Sequence, residues 1–361
     1  MNKVLIIVLV IISQVGVFSL ANAAVAFPVR YNADIKEDKN AKLLQLSNLN
    51  SQPFKEPLVF MFFGDVMVER GLDRTACAKG VKYFIGDLMG KGDRNFKNYD
   101  LVGANLEGVV AKNGVHSAPQ MKYDFAFRPE IVSQFKDFGF NYFAIANNHI
   151  TDQGESGLRQ TRENLDKLGF SYSGCPDRTV GDCSMKIVER KGMKIAMLAF
   201  SNIFGRFDEK KITEKIKEAK KQSDLAVVNI HWGAEYQKRF SKSQQNLAHQ
   251  MIDAGADVII GHHPHVVQGA EIYKNKLIFY SLGNFIFDQF FSVETQTGLA
   301  VRFDISHNKL KAELKPFRGK QAKLRWLNDG EKKIWLDKFI KISDKSVKSV
   351  IKDGRMDIIR E

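Results

Sequence analysis

The stretch Gly261-His262-His263-Pro264-His265 places three of the chain's eight histidines within four residues, directly after the apolar run 258–260. Neutral imidazole is the commonest metal ligand in proteins because its pKa lies near neutrality. In extended backbone, side chains two residues apart share a face. His263 and His265 are therefore expected to reach one ion together, and His262 to point elsewhere.

Other apolar runs end in the same kinds of residue. Gly64-Asp65 closes one. Others run into Asn105-Leu106-Glu107, Asn147-Asn148-His149 (with Asp152 and Gly154 beyond), His231, and Leu282-Gly283-Asn284 followed by Asp288. In open α/β sheets the carboxyl ends of the strands meet at one crevice, so these motifs are expected to form one cluster. Carboxylate, amide oxygen and imidazole together suit zinc, manganese or iron. One or two such ions would polarise a phosphoryl or acyl oxygen and lower the pKa of bound water. Glu107 is the natural bridging carboxylate, and His149 fits a proton donor to the leaving group if Asn148 is a ligand. Asn105, Asp152, His262 and Asn284 are expected to contact substrate. Each motif alone also has an ordinary reading: Asp65 as a turn residue or helix cap, Glu107 as a loop acid, His231 as a packed histidine, Asn284 as a bend. Their shared placement at strand ends favours the cluster. His116, His249 and His307 lie away from these tips.

Elements able to position such a cluster follow from the pattern. Apolar runs of strand length lie at 58–63, 100–104, 142–146, 225–230, 258–260 and 277–281. Amphipathic helical patterns lie at 129–138, 155–168, 209–221 and 241–254, with Gly169 and Gly255 where helix C-caps are expected. This alternation implies an α/β domain with largely parallel pairing. Turns at Arg190-Lys191-Gly192 and Lys274-Asn275-Lys276 imply hairpins, hence mixed sheets. The domain is expected over 58–318, after a polar linker at 24–57. A basic helical extension over 319–361 should pack through Ile334, Trp335, Phe339, Ile342, Val347 and Val350. Segments 71–97 and 202–221 are candidate insertions over the cleft.

Met1-Asn2-Lys3, the apolar stretch 4–20 and Ala21-Asn22-Ala23 read as a secretory signal cut after Ala23, the alternative being a retained membrane anchor. The protein is thus expected in the periplasm or cell envelope. In an exported chain Cys175 and Cys183 could close a short loop and leave Cys77 free; a fully reduced state is the alternative. The absence of C-x-x-C argues against a thiolate zinc site. The net charge of +13 suits an acidic polymer or phosphorylated substrate, or simply a lysine-rich solvated surface. No arginine-rich block or aromatic-interleaved basic stripe is present, so nucleic acid is not an expected partner.

Gly64-Asp65-Val66-Met67, Asn105-Leu106-Glu107-Gly108, Ala146-Asn147-Asn148-His149, His231-Trp232-Gly233, Gly261-His262-His263-Pro264-His265 and Tyr280-Ser281-Leu282-Gly283-Asn284-Phe285 together resemble the CapA family. This is the capsule-synthesis, poly-gamma-glutamate-associated branch of the calcineurin-like metallophosphoesterases, and the likeness runs over 58–306. It implies a four-layer α-β-β-α sandwich of two mixed sheets. It implies that Asp65 and His265 bind a first metal, that Glu107 stands where a bridging Asp is usual, and that Asn148, His231 and His263 bind a second. His149 would be the catalytic histidine, with Asp65 beside it at the reacting centre. Two departures stand out: Met67 replaces the histidine of the superfamily's Asp-x-His, and the second motif lacks its Gly-Asp start. The resemblance implies either a metal-dependent hydrolase or a non-catalytic partner in making or exporting an anionic polymer, working with membrane-embedded synthesis proteins.

Overall fold

The run that opens at 58 becomes β1 (Leu58–Val66), which lies inside the largest of three sheets among the described residues; the smallest is the parallel pair β3 (Val109–Val110) and β4 (Ala126–Phe127). The computed structural model describes residues 56–360 apart from 90–95, 113–122, 178 and 204–207. The expected leader, its cleavage site, nearly all of the linker and His116 lie outside the described residues. Among the described residues no helix is long and apolar enough to cross a membrane.

On one side of β1 lie β2 (Leu101–Leu106), β5 (Tyr142–Ala144) and β6 (Ser171–Ser173), all parallel to it. On the other side β14 (Thr297–Ile305), β15 (Lys309–Lys320) and β16 (Lys323–Trp326) run antiparallel to their neighbours. The short β13 (Asn284–Ile286) also pairs with β1, and β17 (Arg355–Ile359) pairs with β15. The second sheet has the order β11 (Ala270–Tyr273), β12 (Lys276–Phe279), β10 (Val258–His262), β9 (Leu225–Trp232), β8 (Met193–Asn202), β7 (Met185–Arg190). Its outer strands are the two expected hairpins. Lys191-Gly192 and Lys274-Asn275 all have positive φ, the conformation that tight two-residue hairpin turns require.

Alternation assigns the layers. Phe60 and Phe62 of β1 meet Val227 of β9 and Val258 and Ile260 of β10 in a core between the sheets. Met61 and Phe63 face outward, into a core roofed by Ile131 and Val132 of helix Pro129–Ser133 and by Leu158 and Leu165 of helix Gly154–Lys167. Val228 and Ile259 face the other way, under helices Glu209–Gln222 and Lys242–Asp253. The order is α-β-β-α, as the family resemblance implied.

Three expectations need correction. Segment 71–97 supplies Leu72, Ala76, Val81, Phe84 and Ile85 to an outer core, and Ile212, Ile216 and Ala219 cover the second sheet. The described parts of both segments pack as layers against the sheets. Residues 319–361 hold the expected helix, Asp329–Ile342, but also β16 and β17, so the larger sheet continues past 318. Ile334 and Val350 are 61% and 38% exposed and do not pack, whereas Phe339 and Val347 are buried. Trp335, Phe339 and Ile342 share one helical stripe, and Ile334 falls off it.

At the carboxyl end of β1 the chain crosses the segment before β13. A Cβ on Gly64 would lie 1.7 Å from the Gly283 carbonyl oxygen, and the Asp65 N–H donates to that same oxygen at 3.0 Å. Backbone cannot yield as a side-chain tip can. Gly64→Ala is therefore expected to lower stability by about 3 kcal/mol or more in chemical denaturation. Gly86→Ala, whose Cβ would meet only Lys82 Cγ at 3.7 Å, should stay within about 0.5 kcal/mol of the parent.

Candidate metal centre

On each strand that reaches the crevice, the positions facing the inter-sheet core change from apolar to polar at the carboxyl end. On β9 Leu225 and Val227 face that core, and Asn229 and His231 continue the row. On β10 Val258 and Ile260 are followed by His262; on β2 Leu101 leads to Asn105. Residues two apart share a face, so one rule delivers all four side chains. It also corrects one expectation. His262 does not point elsewhere: its Nδ1 lies 3.3 Å from Asp65 Oδ1.

Asp65 breaks the rule and needs a bulge. Inward positions on β1 are Phe60 and Phe62, so strict alternation would send Asp65 outward. Phe62 pairs with Gly103 but Asp65 pairs with Asn105, three steps on β1 against two on β2. The extra residue re-aims the carboxylate inward. His263 and His265 break it differently. They follow the end of β10 with φ of 93° and 57°, left-handed values that non-glycine residues adopt sparingly and mostly at functional turns. Their rings come within 5.7 Å through this turn rather than through extended alternation.

The centre is built around two fully buried acids. Asp65 accepts the Asn105 amide N–H at 2.9 Å and the His263 backbone N–H at 3.2 Å. Burial alone would raise its pKa, but His262 and His265 outweigh burial and hold it well below the usual carboxylate range. Glu107 is the opposite case. Neither carboxylate oxygen has a hydrogen-bond partner, and burial pushes its pKa well up, opposed by His265 and reinforced by Asp65. Three imidazoles surround Glu107 Oε1: His265 Nε2 at 3.7 Å, His231 Nε2 at 3.9 Å and His149 Nε2 at 4.0 Å. Burial, then the neighbouring His265, lowers His263 to about 3, and burial with His263 lowers His231; both are neutral, the form that binds metal. Burial also opposes charge on His265, but Glu107 and Asp65 lift it to about 9.

These residues fit a metal ion. Ligand atoms of Glu107, His263 and His265 lie within 4.8 Å of one another, as do those of Asp65, Glu107 and His231. Glu107 belongs to both groups. An ion bonded at about 2.0–2.2 Å to each donor needs spacings of this order, and it would satisfy a carboxylate otherwise buried without a partner. Asn148 Oδ1 lies 2.8 Å from His231 Nε2, at the same cluster. Met67 is turned away: it packs in the outer core, and its sulfur accepts the Glu69 N–H at 3.3 Å.

The four residues expected to touch substrate each have a partner inside the cluster. Asn105 Nδ2 reaches His231 Nδ1 at 3.2 Å. Asn284 Oδ1 lies 2.9 Å from His265 Nδ1. Asp152 Oδ2 accepts the Phe125 N–H at 2.8 Å and lies 2.7 Å from His149 Nδ1. His262 Nε2 lies 3.4 Å from Asn229 Oδ1. All four are buried, because they sit on strands and tight turns beneath the mouth rather than on the loops that form it. The cleft above, about 410 Å³, is lined by His149 and His265 with Arg70, Phe125, Tyr236 and Phe287 among others. Sequence reasoning missed Arg70, which pairs with Asp288 and lies over the Phe125 ring at 4.9 Å; no pattern marks it. It also missed Asn229, which the spacing to His231 could have revealed. His249 lies outside the cluster, paired with Glu271 and stacked on Tyr273. Cys175 and Cys183 form the disulfide, and Cys77 is free.

Residues 59–289 match the family described as bacterial capsule synthesis protein PGA_cap. The PGA biosynthesis protein CapA of Bacillus subtilis (strain 168) is 34% identical over 267 residues, 68% of this chain and 67% of that protein. The capsule biosynthesis protein CapA of Bacillus anthracis is 33% identical over 273 residues, 70% of this chain and 65% of that protein. The match thus spans about two thirds of each relative's length. A solved structure of a novel phosphatase from Mycoplasma pneumoniae aligns with a TM-score of 0.44 at 14% identity, over 75% of this chain and 91% of that one.

Replacing Glu107 tests the fit without any substrate. Glu107→Met replaces a carboxyl group whose burial lacks a partner with an apolar side chain of similar volume, so the metal-free protein should gain roughly 1–3 kcal/mol. The same variant should lose most of the rise in Tm that manganese or zinc gives the parent. Calorimetry with and without metal reads both signs. A variant destabilised without metal, with its metal-induced rise intact, would exclude Glu107 as a ligand.

Proposed function

Because this chain belongs to the bacterial capsule synthesis protein PGA_cap family, we propose that it is an exported metal-dependent hydrolase acting on a phosphoester or amide bond of an acidic envelope polymer. The observation that carries this reading is the partnerless, buried Glu107 carboxylate among three imidazoles. Asp65, Glu107, Asn148, His231, His263 and His265 would hold one or two ions of zinc, manganese or iron. Bound there, such an ion polarises the scissile oxygen and turns a water into a nucleophile near neutral pH.

The chain's own residues do the rest. Asn284 takes the Nδ1 side of His265 and Asn105 that of His231, which turns each Nε2 toward Glu107 and, on His231, also onto Asn148 Oδ1. Such outer partners fix ring orientation. Asp152, anchored by the Phe125 N–H, holds His149 by Nδ1. The other nitrogen, Nε2, lies 4.0 Å from Glu107 Oε1 on the wall of the cleft, where it can hand a proton to a leaving oxygen or nitrogen. Arg70 stands at the same mouth with its guanidinium oriented by Asp288, placed to hold a phosphate or carboxylate of the substrate.

The Bacillus relatives are named for PGA and capsule biosynthesis; for this chain, a part in capsule or poly-gamma-glutamate-type polymer biosynthesis beside membrane-embedded synthesis proteins belongs to the same proposal. The leader-like residues 1–23 and a disulfide suited to an oxidising compartment support export.

The test is turnover of bis-p-nitrophenyl phosphate and of gamma-glutamyl peptides by the metal-loaded protein. His149→Ala should cut kcat by about 10²–10⁴ with bound metal unchanged, and a chelator should abolish activity. No metal-dependent turnover of either class would leave a non-catalytic polymer-binding role in its place, and full activity in His149→Ala would remove His149 as the proton donor.

A further inference from the structure

A second cavity, of about 380 Å³, lies where helix Asp329–Ile342 meets the chain just past His265. Its volume falls within the range of about 300–1,000 Å³ typical of small-molecule sites. The wall is apolar: Val266, Val267, Val293, Trp335, Phe339 and Ile342. Trp335 and Phe339 stack with ring centroids 5.0 Å apart, and Val293 at the lip is 57% exposed. None of its lining residues is shared with the metal cleft.

Its charge is one-sided. Lys238, Arg318, Lys338 and Lys341 line it against a single acid, Glu294. Lys238 already neutralises that acid at 2.6 Å. Lys338 and Lys341 are one helical turn apart, on the same side, and neither has an ion pair among the described residues. An apolar wall calls for a hydrocarbon, and unpaired cations beside it call for an anion.

We propose that this cavity binds a single-chain anionic amphiphile. The alkyl chain lies against Val266, Val267, Trp335 and Phe339, and a terminal phosphate or carboxylate is held by Lys338 and Lys341. Long lysine side chains suit this, since their stems cover apolar surface while their heads meet the charge. The site adjoins the metal centre along the chain. Val266 follows His265 directly, and the segment after β13 supplies Phe287, Gln289 and Phe291 to the cleft, then Val293, Glu294 and Thr297 to this cavity. An occupant therefore bears on the two stretches that carry the cleft wall.

The test is calorimetric titration of the full chain with decyl phosphate and separately with decanoate, both below their micelle concentrations. Trp335 fluorescence is followed in parallel. The expected result is one saturable site for at least one probe, weakened about tenfold or more by Lys338→Glu/Lys341→Glu and by Val293→Asp. Inorganic phosphate should not compete, and decyl maltoside should bind at least tenfold more weakly. Whichever probe binds identifies the head group. Absence of saturable binding by the parent overturns the proposal. So does equal binding by the charge-reversed variant, shown folded by its Tm, or equal affinity for the uncharged maltoside.

Discussion

The constraint on which the rest of this structure depends is the burial of two carboxylates within one small volume. Asp65 and Glu107 are both fully buried, and burying ionised groups without compensation costs several kcal/mol each. Asp65 is compensated by the chain itself, through an amide, a backbone N–H and two histidines. Glu107 is not: its oxygens face imidazole nitrogens at 3.7–4.0 Å, too far for hydrogen bonds and well spaced for a shared cation. A fold that spends stability on such a carboxylate does so where function requires it.

The scaffold supplies that arrangement with few devices. Two sheets pack face to face, and their inward rows turn from hydrocarbon to amide and imidazole at the carboxyl ends. A single bulge on β1 brings Asp65 into the row from which strict alternation would exclude it. Gly64, lacking a Cβ, lets the strand approach the Gly283 carbonyl beside that bulge. The left-handed turn at His263 and His265 then folds two more imidazoles over the acids. Behind them Asn105, Asn229, Asn284 and Asp152 orient the rings, so precision at the centre comes from strands and tight turns rather than from the loops of the mouth.

Much of this was legible in the sequence. Strand runs were visible because they are buried on both faces and read as continuous hydrocarbon. The site was visible because so many runs end in ligand-type residues. What escaped had physical reasons. The bulge at Asp65 is a pairing register between two strands and leaves no local mark. The left-handed values at His263 and His265 replaced the extended geometry that alternation assumes, which is why His262 was expected to point away. Strands β15 to β17 escape the pattern because they alternate lysine, arginine or acid with apolar residues, as in Lys309-Leu310-Lys311-Ala312. That period marks a sheet with one wet face, and it was masked by the basic character of the region. The cleft mouth, with Arg70 and its aromatic neighbours, is assembled from distant segments and carries no motif.

The most direct measurement is the metal content of the protein by elemental mass spectrometry after purification without chelators, beside His263→Ala/His265→Ala. Zinc, manganese or iron close to stoichiometric in the parent and absent from the variant is the predicted result. No metal above background in the parent, even after reloading with each ion, would contradict the account at its centre.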